Sequence, residues 1–135
     1  MISSYSIISQ AVATDGTLNF DTTRILTGCT VKHADGTPTF TLTKPGYYFV
    51  TFDGVISGTT AGTVTVELLN GADAIPAALA STTIAVDDEA TLNFTTIVRV
   101  LPSCPSIDNT TKLSVVNTGV ATTFTSANIN ITKLC

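Results

Sequence analysis

Tryptophan is absent, histidine occurs once, and charged residues make up only 12% of the 135-residue chain. Each shortage removes a class of function. A nucleophile with its general base needs a second titratable partner, and the lone His33 stands beside the turn Asp35-Gly36. A surface or hydrogen-bonded imidazole is the expected role there, so no catalytic residue is assigned. Lysine and arginine number 6 against 10 acids, for a net charge of -4. That balance argues against a basic nucleic-acid-binding face. Three cysteines, Cys29, Cys104 and Cys135, form no CxxC pair. With one histidine they do not make a zinc pattern. Free thiols, or one disulfide with a thiol left over, both remain open. No apolar run approaches the roughly 18 residues of a membrane span, so no membrane insertion is expected. Residues 1–8 lack a basic segment followed by an apolar core, so a secretory leader is not expected. Phosphate-binding, nucleophile-elbow and dinucleotide fingerprints are missing. The acids Asp87, Asp88 and Glu89 are adjacent in one loop and lack the spaced oxygen ligands of a calcium loop. No cofactor or metal is assigned.

What the chain has in abundance is threonine, about one residue in five, which favours extended backbone over helix. Alternating segments bounded by Gly, Asn, Asp and Pro recur from end to end, as in a sandwich or barrel. The spacing predicts strands over 5–12, 17–20, 29–33, 37–43, 46–56, 63–69, 90–101, 112–117 and 123–133. Asn70-Gly71 ends the 63–69 segment as a hairpin turn. Residues 72–81 are Ala-rich and interrupted by Pro76; they read as an irregular crossing or as a short strand at about 79–86. The count is eight to ten antiparallel strands in a two-sheet jelly roll. The chain is read as one domain, 1–135, with residues 1–14 as an N-terminal docking arm or the first strand.

The stretch 44–56, Lys44-Pro45-Gly46-Tyr47-Tyr48-Phe49-Val50-Thr51-Phe52-Asp53-Gly54-Val55-Ile56, is the most informative. Side chains on a strand alternate between faces. Tyr48, Val50 and Phe52 share one face, and Tyr47, Phe49 and Thr51 the other. A strand apolar on both faces is usually covered on both. In a chain this small the second cover is expected to be another subunit.

Gly46-Tyr47-Tyr48-Phe49-Val50 resembles the Gly-x-Tyr-x-Phe strand of the complement-globular-head and tumour-necrosis-factor-like jelly rolls. Three further segments agree in order: 64–72, 91–100 and 113–119. The resemblance spans roughly residues 15–134 and is nearest to the bacterial and phage branch, such as collagen-like spore-surface heads. The Cys-containing loop from Pro102 to Asn109 departs from the tight turn usual there.

The resemblance implies a homotrimer of threefold symmetry with both termini at one end. It implies an inner sheet built from the first strand, the aromatic strand, strand 90–101 and the last strand. Tyr47, Phe49, Ile97 and Phe124 are the interface candidates. In that topology the Cys104 loop and Cys135 come to one end, which makes them the candidate disulfide. The function implied is a non-enzymatic structural head on a phage virion surface, either a capsid decoration or a head-fibre protein. Its partners would be a second and third copy and another virion structural protein. The alternatives are a receptor- or glycan-binding virion head and a bacterial spore or cell-surface display protein.

Overall fold

A computed structural model describes residues 1–58, 60–102 and 111–134. It is all-β. The strands are β1 (Ile2–Ser6), β2 (Gln10–Val12), β3 (Gly16–Thr17), β4 (Thr22–Leu26), β5 (Val31–Lys32) and β6 (Phe40–Leu42), then β7 (Gly46–Ser57), β8 (Gly62–Asn70), β9 (Asp73–Ile84), β10 (Glu89–Val100), β11 (Thr111–Asn117) and β12 (Thr122–Lys133). They form two antiparallel six-stranded sheets. Sheet A runs β10-β7-β12-β1-β4, with β2 also on β12. Sheet B runs β5-β6-β11-β8-β9, with β3 also on β11. The four strands expected together in one sheet, β1, β7, β10 and β12, are adjacent in sheet A.

The core lies between the sheets. From sheet A, Tyr48, Val50, Phe52 and Ile56 of β7 point inward, with Ile129 and Ile131 of β12. They meet Val64, Val66 and Leu68 of β8, with Leu113 and Val115 of β11. Phe20 sits edge-on to both Phe40 and Phe52, at centroid distances of 5.3 and 6.5 Å. Strict alternation in β7 and β8 is what delivers these rows. The hairpin at Asn70-Gly71 forms as expected, with Gly71 at φ 63°.

Two strands depart from the expected pattern. Residues 72–81 are neither a crossing nor a short strand but most of the 12-residue β9. Its register against β8 shifts between Glu67 and Leu69, and Ala77 takes φ 62°. Pro76 therefore lies in a bulge on an edge strand, where its missing N–H leaves no ladder partner unpaired. Strand β4 was not expected at all. Its alternation breaks at Arg24, which is extra in the pairing of Ser3 with Ile25 and Ser4 with Thr23. The first segment also divides differently: residues 2–6 pair with β12 and residues 2–5 with β4, and only after a bend does β2 begin.

Candidate functional site

Strand β7 lies between β10 and β12, and its outward row is Tyr47, Phe49, Thr51, Asp53 and Val55. Register sets what stands beside each. Phe49 is opposite Ile97 on β10 and Thr132 on β12. Tyr47 is opposite Arg99, whose guanidinium carbon lies 5.8 Å from the ring centroid. Thr51 is flanked by Thr95 and Asn130, and Asn130 Nδ2 donates to Thr51 Oγ1 at 3.2 Å. Asp53 is flanked by Asn93 and Asn128.

The outer face of sheet A thus changes character along the strands. At the end where β7 begins it is apolar. Tyr47 is 44%, Phe49 37% and Ile97 56% exposed, with Met1, Leu101 and Leu134 also exposed nearby in sequence to this end. Further along it is hydroxyl and amide. Beyond that come Asp53, Tyr5 and Arg24, around a depression of about 330 Å³. Arg24 is held by two contacts: Nη2 donates to Ser3 Oγ at 3.1 Å, and Cζ lies 5.5 Å from the Tyr5 centroid. Exposed aromatic and aliphatic side chains in neighbouring positions of one sheet are the usual mark of a surface that another protein covers.

Three of the four expected interface residues, Tyr47, Phe49 and Ile97, stand together on this face. Phe124 does not. It is fully buried in the core. Counting back from Ser126, Asn128 and Asn130 by twos puts Phe124 outward, but β12 shifts register between Phe124 and Ser126. The extra residue is Thr125, whose hydroxyl donates to Val55 O at 3.3 Å. One inserted residue reverses the facing of everything before it. Nothing in the alternation of this segment marks the bulge. The approach of Arg24 to the Tyr5 ring was also not legible, because it depends on strand β4.

His33 and Asp88 are committed to structure. His33 is stacked on Phe40 at 4.0 Å, with Nδ1 3.0 Å from Thr39 O and Nε2 3.1 Å from Phe20 O. Asp88 Oδ2 accepts from Ala85 N at 3.0 Å and closes the turn before β10. Cys29 is exposed and free of a disulfide. Cys104 and Cys135 lie outside the described residues. The strands that lead to them, β10 and β12, both end beside the start of β7. Strand β1 starts at that same end, since Ile2 is opposite Ile131.

No protein-family model matches this chain, and no curated protein matches it by sequence. Solved structures do match. The globular domain of zebrafish complement 1qA protein has a TM-score of 0.73 at 11% identity, over 99% of this chain and 96% of that one. The Eiger TNF from S. frugiperda has a TM-score of 0.74 at 11% identity, over 99% and 92%. The fold is the jelly roll of these heads. The phage PRD1 vertex protein P5 is similar as well, with a TM-score of 0.60 at 17% identity, over 99% of this chain and 96% of that one. At these identities the likeness is one of fold, spanning each molecule almost whole.

Proposed function

We propose that the protein is a non-enzymatic structural head that assembles as a homotrimer through the outer face of sheet A. We further propose that it stands on the surface of a phage virion, as a capsid decoration or head-fibre protein. The observation that carries the reading is the exposed cluster of Tyr47 and Phe49 on β7 with Ile97 on the adjoining strand β10. Three copies arranged about an axis beside β7 remove that cluster from water. Each copy would then bury on the order of 1,000 Å², since permanent interfaces are large and apolar. A virion setting is supported by the shared fold of the PRD1 vertex protein P5. The termini-bearing end of the head is the natural attachment side, because it leaves the far loops free. Sedimentation equilibrium of the full chain at micromolar concentration tests the assembly, and a mass of one chain overturns it. Binding of purified protein to virions that lack it, seen by electron microscopy, tests the location; absence of any bound density overturns that part.

A further inference from the structure

In its polar half the outer face of sheet A carries the cation Arg24 and the acid Asp53, which do not meet within a protomer, with the acid Glu89 further along at the far end. Arg24 is on β4 and Asp53 on β7, with β12 and β1 between them. Three strand spacings separate them by roughly 14 Å. No ion pair joins them among the described residues. Asp53 is exposed, and its register neighbours, Asn93 and Asn128, are uncharged. Arg24 is not a loosely waving side chain, since Ser3 and the Tyr5 ring fix its guanidinium.

Height along the strands decides which groups can meet. Asp53, Asn128, Tyr5 and Thr22 share one rung of the sheet. Arg24 is the extra residue between the rungs of Ser3 and Ser4, so it stands within about two residues of Asp53 in height. Rotation about an axis along the strands carries each residue round at constant height. The acid of the next copy that comes level with Arg24 is therefore Asp53. Glu89, opposite Ser57, is four residues further along β7, or about 13 Å away. Asp21 and Asp35 are already bonded, to the hydroxyls of Ser6 and Thr23. Threefold packing on β7 also brings three Asp53 carboxylates towards one another. Like charges drawn out of water need a counter-charge.

We infer that Arg24 of each copy pairs with Asp53 of the neighbouring copy, so that three identical ion pairs ring the interface. The inference rests on the threefold reading above. The apolar end of the face supplies the association. The three pairs fix the height and rotation at which the copies seat, as charge complementarity does at other interfaces.

A charge-reversal cycle on the full chain tests this: Asp53→Arg, Arg24→Asp, and both together, with dilution midpoints of assembly measured at low and raised salt. Each single reversal should raise the midpoint concentration roughly tenfold, and the double reversal should recover most of that loss. Raised salt should narrow the gap between single variants and wild type. Far-ultraviolet circular dichroism confirms folding, and the neutral variants Asp53→Asn and Arg24→Gln replace any reversal that does not fold. Single variants with the wild-type midpoint, or a double variant whose loss is the sum of the singles, overturn the pair while leaving the trimer standing. A chelator that dissociates the wild type also overturns it, because a divalent cation would then be answering the three carboxylates. A wild-type protein that is monomeric throughout overturns both readings.

Discussion

Phe49 keeps 37% of its surface in water although it stands near the middle of sheet A, with a strand on each side. On the proposed assembly face, a residue so placed is the sensitive point. In the proposed trimer, Phe49→Asp would put an unpaired charge where a neighbour packs, and association should weaken on the order of a hundredfold. Thr65→Asp is the control. Thr65 lies on the outer side of sheet B, its hydroxyl 2.8 Å from Ser81 Oγ, and that variant should sediment like wild type. Equal masses for the two variants would show that the face is misassigned. Tyr48, the neighbour of Tyr47 in sequence, faces the core instead and donates to Lys44 O at 2.7 Å. Burial pushes its phenol above the ordinary 10.0. The folded protein therefore holds this proton at pH values where the unfolded chain has released it. The linked stability is fully present below the unfolded pKa and is lost as pH rises through the folded one. Thermal melts from about pH 9 to 12 should show a decline that Tyr48→Phe makes shallower. Identical slopes in the two proteins would exclude Tyr48 as the source.

Among the elements, those that alternate without interruption were legible in sequence: β7, β8, β10 and the later part of β12. Each has two distinguishable faces, so its residues announce the strand and its buried side together. The elements that escaped contain an irregularity that periodicity cannot carry. Arg24 breaks β4, Thr125 reverses the start of β12, and Pro76 with Ala77 kinks β9. A bulge leaves the preference for extension in place but breaks the count in twos from which a strand's buried face is read. The outward facing of a side chain was legible where the strand was regular, as at Tyr47, Phe49 and Ile97, and was misread at Phe124, where the strand was not. The link between β11 and β12 shows how closely elements approach. A Cβ on Gly119 would stand 2.7 Å from Thr65 N and 2.8 Å from Val64 Cα. Gly119→Ala must push backbone apart and should cost about 1–3 kcal/mol in denaturant titration. A change within error would mean that this turn shifts freely. The ends of β10 and β12 lie on either side of β7, two strand spacings or roughly 10 Å apart. A bond between Cys104 and Cys135 is the expected pairing after oxidation, and would contribute roughly 3 kcal/mol by closing about 30 residues. Peptide mapping without reductant checks it; a Cys29 linkage to either would contradict the expectation.

For the whole molecule, stability and assembly are one quantity if the outer face of sheet A is covered only in the trimer. The melting temperature should then climb by a few degrees for each tenfold rise in protein concentration. A concentration-independent value in scanning calorimetry would mean that the protomer is stable by itself. The arrangement of the ends has a separate, mechanical consequence. Strands β1 and β12 are antiparallel neighbours, and the first begins at the same end where the second finishes. Force that draws the two termini apart opens their ladder like a zipper, one pair of hydrogen bonds at a time. Force applied between the termini and the opposite loops runs along the strands and loads the whole ladder in shear. A head tethered by one terminus and tugged at its far tip is thus pulled in its strong direction, while the same fold yields readily when its two ends are parted.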